Sequence, residues 1–311
     1  MKKFTQKITL FLIANILFYH FMIYLIDGKG FLVSACNLAQ RENFDFIMLG
    51  TSHTQVFYNH VVEKILPKKM KNLATGSAGV VPEKIRLLCF FESKNSTKNI
   101  IYILDPWALY SERWNENNII LQYENIEYSY TKKLISNGAT KTVLFNYFRD
   151  KLTSNALVLI NSYIKTKDIP TPQPKQPVQI QIEESKKIEK TLEEQRKIDE
   201  ALDKQRLEIL YDEGLNQKRF SKYSQDVVEI IKLAKANHAH ITFIIPPTLM
   251  GKMPGHEEVI KLLEEYKQKY NISYLDLTDE MQDQQYYWDR EHFNENGVNF
   301  FTEHFLSKIL N

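Results

Sequence analysis

The feature that most constrains this chain is the alternation of short apolar runs with longer helical stretches. FDFIMLG (44–50), KNLATG (71–76), KNIIYILDP (98–106), AHITFIIPP (239–247) and ISYLDL (272–277) are each of strand length. Consecutive apolar positions in such runs, bounded by Gly or Pro, suit strands buried on both faces. Residues 52–66, 81–94, 224–237 and 256–270 read as helices, the second with Pro82 near its start, where a helix tolerates proline. ENGVNFFTEHFLSKIL closes the chain as a last helix. Strands returned by helices of this length imply an α/β fold: a mainly parallel five-stranded sheet covered on both faces.

Two regions depart from this rhythm. At the start, MKKFTQK carries three lysines and precedes ITLFLIANILFYHFMIYLI (8–26), which has no formal charge with His20 neutral. Nineteen helical residues span about 28 Å, close to the hydrocarbon thickness of a bilayer. The lysines predict a cytoplasmic N-terminus and an exported remainder. A cleaved signal peptide is the competing reading, but the apolar region is long for one and no A-x-A site follows directly. VSAC (33–36) resembles a lipoprotein box, yet Asp27 and Lys29 separate it from the apolar core, which argues against lipidation. The expected organisation is an N-terminus and membrane anchor over 1–28, a tether over 29–43 and a domain over 44–311. Within that domain 106–221 reads as a partly helical insertion over the carboxyl edge of the sheet. It contains a proline-rich linker (168–181) and a charged helix (182–210) whose apolar positions, Ile188, Leu192, Ile198, Leu202 and Leu207, fit a heptad poorly. That pattern favours a solvated helix packed along one thin stripe over a dimerising coiled coil.

A formal net charge of +2 and the lack of a recognition motif argue against nucleic acid as a partner. The two cysteines, Cys36 and Cys89, stand in no CxxC or Cys/His cluster, so no metal site of that kind is expected. Cys89 sits in IRLLCFF and reads as a buried packing residue, with a Cys36–Cys89 disulfide left open.

Chemistry is suggested where MLGTSHT leaves the first strand. In open α/β sheets, ligands bind outside the carboxyl ends of the strands. Ser52 follows a buried strand and begins a helix, whose first N–H groups can hold a developing oxyanion. Ser and Thr are also ordinary helix caps, so the segment alone leaves both readings open. A nucleophilic serine needs a base, and the base needs a group to fix its tautomer. His53 faces away if Ser52 faces the site. WDREHFNENG offers the alternative: Asp289 and His292, three apart on one turn, let a carboxylate reach an imidazole just before the last helix.

MLGTSHT near the start and DREHFNENG near the end together resemble the first and last blocks of the SGNH (GDSL-like) hydrolase superfamily. The likeness covers roughly residues 44–110 and 222–311. It implies a three-layer, flavodoxin-like fold, with Ser52 as nucleophile, His292 as base and Asp289 as its orienting acid. The oxyanion hole would use backbone N–H groups of Ser52 and of the turn at Gly76 or Ser77, alone or completed by another donor. The middle blocks depart from the family: ILDPWALY places Asp105 near the expected asparagine, and a carboxylate there would repel an oxyanion. Loss of one such donor costs about 2.7–4 kcal/mol of transition-state stabilisation.

A membrane-anchored SGNH domain with altered middle blocks is similar to the exported O-acyltransferases and D-alanyl transfer proteins of bacterial envelopes. The expected activity is therefore acyl transfer, or esterase action, on O-acyl groups of a cell-envelope glycan through an acyl-serine. The implied partners are the bilayer (residues 8–26), a multi-spanning membrane acyltransferase and the glycan. No organic cofactor or metal is implied. Trp107, Pro247 and Trp288 are the expected substrate contacts, although core packing or a lid is the favoured reading of each tryptophan taken singly. The rivals are a simple anchored esterase and a non-catalytic envelope scaffold that uses the charged helix as its partner surface.

Overall fold

The computed structural model describes residues 41–74, 76, 78–117, 192–212 and 214–310, with Gln6 and Thr9 as isolated helical positions. Strands β1 (Asn43–Gly50), β2 (Met70–Asn72), β3 (Ser96–Ile103), β4 (His240–Ile245) and β5 (Ser273–Asp276) form one sheet. Their order is β2-β1-β3-β4-β5 and every pairing is parallel. This is the doubly wound, flavodoxin-like order, in which the winding reverses between β1 and β3.

The side-chain period of two divides each central strand between two cores. Ile47 and Leu49 of β1 join Ile100, Tyr102, Ile241 and Phe243 on one face. That face is covered by α3 (Val80–Glu92), α5 (Gln217–Ala236) and α6 (His256–Tyr270). Phe46 and Met48 join Ile101, Ile103 and Ile244 on the other, beneath α2 (Asn59–Ile65) and the C-terminal helix. The C-terminal helix runs as α7 (Glu295–Phe301), a π turn (Thr302–Leu306) and α8 (Ser307–Leu310). The remaining helices are α1 (Ser52–Gln55) and α4 (Leu192–Leu210).

Three expectations are corrected or extended. The helix read over 52–66 is two, α1 and α2. Asn72, at the end of β2, donates its side-chain amide to the carbonyls of Thr54 (2.7 Å) and Phe57 (2.9 Å), so acceptors that a continuous helix would use are taken. Cys89 is buried in the first core, as expected, and is also disulfide-bonded, the possibility the sequence left open; the one other cysteine of the sequence, Cys36, lies outside the described residues. The charged helix, where described as α4, is not held by an apolar stripe alone. Ile198, Leu202 and Ile209 remain exposed, and its acidic and basic side chains make the attachments described below.

Residues 106–117, the start of the expected insertion, pack into the first core through Trp107, Leu109, Tyr110 and Trp114. Residues 118–191, including the proline-rich linker, lie outside the described residues. So does the expected anchor over 8–26, apart from Thr9. Among the described residues no helix is long and apolar enough to cross a membrane.

Candidate active site

β1 ends where its backbone meets β3. Gly50 has φ +140°, and a Cβ there would fall 2.5 Å from the Ile103 carbonyl oxygen and 2.2 Å from Thr54 Oγ1. Only glycine lets the chain turn this tightly from strand into helix. Thr51 then caps α1, its hydroxyl accepting from the His53 N–H. Ser52 thus opens a helix at the carboxyl end of β1, beside the point where the sheet reverses its winding.

The loop from β5 to α7 approaches from the far end of the chain. Asn294 caps α7 by accepting from the Gly297 N–H, and its amide holds the carbonyls of Gln285 and Tyr287. The loop is therefore closed on itself, and it presents Asp289 and His292 towards α1. His292 Nε2 lies 2.8 Å from Ser52 Oγ. His292 Nδ1 lies 2.8 Å from Asp289 Oδ2 and 3.1 Å from Oδ1. Asp289 Oδ1 also accepts the main-chain N–H groups of Glu291 and His292, both at 2.8 Å. Partial burial raises the Asp289 pKa, but the bonds from the His292 ring and the two N–H groups outweigh it and hold the carboxyl well below the usual range. An ionised Asp289 fixes the Nδ1–H tautomer of His292 and leaves Nε2 free to accept the serine proton.

Gly76 lies beside the serine: a Cβ on it would be 3.9 Å from Ser52 Cβ. Ser77, the other expected oxyanion residue, lies outside the described residues. Ser52, as the first helical residue, has a main-chain N–H with no intrahelical acceptor. Asp105 does not face an oxyanion position. It is fully buried, accepts from Thr51 Oγ1 at 2.6 Å and binds His53 Nδ1 at 2.6 Å. The expected repulsion is thereby absorbed, since a hydroxyl and an imidazole occupy both carboxylate oxygens.

Two of the three expected substrate contacts are corrected. Trp107 is 3% exposed and stacks edge-on with Trp114 in the core. Pro247 is buried behind the apolar end of β4. Trp288 is 66% exposed, next in sequence to Asp289. It lines a cavity of 330 Å³ with Val56, Tyr58, His60, Phe293 and Glu295. Tyr58 is 60% exposed, and its ring stacks on His60. A second cavity, of 430 Å³, opens on the other side of the loop, between Asp289 and His292 and the α4 side chains Leu202, Arg206 and Ile209.

Sequence reasoning missed the ionic lattice that holds the loop. Arg290 grips Asp203 of α4 in a two-pronged ion pair, one prong at 2.8 Å, and reaches Asp199 at 3.2 Å. Arg206 of α4 pairs with Glu291. Glu291 in turn faces His53 Nε2 at 3.4 Å. Both residues between Asp289 and His292 thus fasten the loop to the charged helix. The charges of DREH are visible in the sequence, but nothing local announces their partners, which lie more than 80 residues earlier. Among the described residues no cluster of His, Cys, Asp or Glu could hold a metal ion.

No family model matches the sequence, and no curated protein does. Among solved structures, the chain is similar to a proposed acylhydrolase from Bacteroides fragilis NCTC 9343, with 10% identity and a TM-score of 0.39 over 89% of this chain and 94% of that one. It is similar also to a GDSL-like lipase from Bacteroides thetaiotaomicron VPI-5482, with 9% identity and a TM-score of 0.39 over 89% and 93%. Likeness at this level assigns no function, and the functional reading rests on the site itself.

Proposed function

We propose that the chain is an SGNH-type serine enzyme that forms an acyl-serine on Ser52 and acts on O-acyl groups of a cell-envelope glycan. The observation that carries this reading is the unbroken hydrogen-bonded series Ser52–His292–Asp289, assembled from residues 240 positions apart. Ser52 Oγ attacks the ester carbonyl carbon while its proton passes to His292 Nε2, and Asp289 stabilises the imidazolium. The N–H groups of Ser52 and Gly76 are the candidate donors to the oxyanion. Collapse of the tetrahedral species returns the proton to the leaving alkoxide. A sugar hydroxyl or water, deprotonated by His292, then attacks the acyl-serine, and the acceptor decides between transfer and hydrolysis.

Trp288 and Tyr58 favour a glycan acceptor, because they expose aromatic faces on a cavity that adjoins the Asp289–His292 loop, and such faces suit the apolar faces of sugar rings. The apolar span 8–26 with its preceding lysines favours a single-pass anchor and an extracytoplasmic domain, where a multi-spanning acyltransferase would deliver the acyl group. The disulfide at Cys89 agrees with an oxidising compartment.

Labelling with a fluorophosphonate tests the reading. The wild type is expected to be labelled, with labelling lost in Ser52→Ala and His292→Ala. A folded wild type that takes no label would overturn it.

A further inference from the structure

His53 is a buried histidine that the acyl-serine chemistry does not use. It is 4% exposed, and it sits between two carboxylates delivered by different parts of the chain. Asp105, just beyond β3, takes its Nδ1 at 2.6 Å. Glu291, in the acid–base loop, faces its Nε2 at 3.4 Å, a charge contact rather than an aligned hydrogen bond. Arg206 of α4 holds Glu291 from behind. The His292 ring stands 5.0 Å away, edge to face. Asp105 further accepts from Thr51, so the residues on both sides of Ser52 are anchored to one carboxylate.

A buried ion pair is weak evidence for stability, since desolvation offsets much of the attraction. Well-packed apolar residues would fill the space at no greater cost. What apolar residues would not supply is a charged link, aligned at Asp105 and electrostatic at Glu291, between segments that share no strand or helix. Ser52 and His292 come from such segments, and their reaction depends on a distance.

We propose that His53 is a positioning residue that locks the serine helix to the acid–base loop and so holds Ser52 Oγ within hydrogen-bond reach of His292 Nε2. Its kinetic consequence rests on the serine-enzyme reading, but its geometric consequence does not. Burial lowers the pKa of His53, while Asp105 and Glu291 reverse this and carry it to about 10. The ring is therefore an imidazolium at neutral pH, with an N–H for each carboxylate. Asp105 and Glu291 are the acidic groups around it, and Arg206 and His292 the basic ones.

The test pairs crystal structures of the wild type and His53→Gln with fluorophosphonate labelling rates and melting curves. Glutamine can still donate to one carboxylate but is neutral and has a single donor nitrogen where the imidazolium has two. The variant is expected to fold, to open the Ser52–His292 contact, and to label about 100-fold more slowly, the order of loss that small misplacements cause. A variant that keeps the contact and the wild-type labelling rate, and loses only melting temperature, would overturn the proposal. Should His53→Gln not fold, Glu291→Gln weakens the link to the loop and, read against Arg206→Gln, which breaks the Arg206–Glu291 pair and leaves His53 in place, carries the same expectation and the same refutation. If the wild type takes no label, the serine-enzyme reading fails. The contact distance in the variant crystals then still decides whether His53 positions the pair.

Discussion

Asp289 and His53 hold their protons in opposite ways, and the difference is measurable. His53 binds its proton more tightly when folded, with a pKa near 10 against an ordinary 6.5. Its contribution to stability is fully present below about pH 6.5 and is lost as pH rises through about 10. Melting temperatures from pH 6 to 10 are expected to fall more steeply for the wild type than for His53→Gln. Asp289 binds its proton less tightly when folded, so its contribution is present above about pH 4 and fades as pH falls below that. Kinetically, Asp289→Asn is expected to keep the fold and lose about 10⁴-fold in kcat, because the amide favours the wrong tautomer of the base. Steady-state ester hydrolysis reads this out, and a loss below tenfold would exclude Asp289 as the orienting acid. At Trp288, replacement by Ala is expected to weaken use of a glycan acceptor while hydrolysis of a small ester is unchanged. An equal fall in both would place Trp288 in the support of the loop instead.

At the scale of elements, the junctions matter more than the helices. The break between α1 and α2 depends on Asn72, whose amide satisfies two carbonyls at once. Asn72→Ala leaves both without that donor and is expected to cost about 1–3 kcal/mol in urea unfolding. Gly50→Ala meets the Ile103 main-chain oxygen as well as the Thr54 hydroxyl, and the main chain has nowhere to move, so relaxation is expensive and loss of soluble, folded protein is expected on expression. The charged helix α4 is tied to the acid–base loop through Arg290 and Arg206. Arg290 is partly exposed, so its ion pairs contribute little to global stability. Their expected effect is on the loop: Arg290→Ala should lower labelling of Ser52 with little change in melting temperature.

The whole molecule builds its site from segments 240 positions apart, the loop after β5 reaching back over the carboxyl edge of the sheet to Ser52 at the end of β1. β1 and β3 are adjacent although α1, α2, β2 and α3 separate them in sequence, so the residues after each meet in the crevice where the winding reverses. The disulfide at Cys89 belongs to this scale as well. Cys89→Ser is expected to lower stability by about 2–4 kcal/mol, and mobility of the wild type on gels should change with reductant. If 8–26 is the anchor, the full chain should resist alkaline extraction from membranes, and removal of residues 1–28 should release a folded domain.

The sequence by itself determined the fold class, because five apolar runs of strand length separated by helical ones have few arrangements other than a parallel sheet. It also indicated which serine, histidine and aspartate to test, because MLGTSHT and DREHFNENG together resemble the first and last SGNH blocks; the strand end alone left Ser52 open as a helix cap. Tertiary structure alone decided the rest. Whether Trp107 or Trp288 meets solvent depends on what packs over each, and both stand beside site residues in the sequence. Whether Asp105 repels an oxyanion or anchors His53 depends on a neighbour 52 positions away. Whether a charged helix is an ornament or a wall of the site depends on partners beyond the reach of any local pattern. Periodicity reports how a segment meets its surroundings, whereas ion pairs and cavities arise only once distant segments share a place.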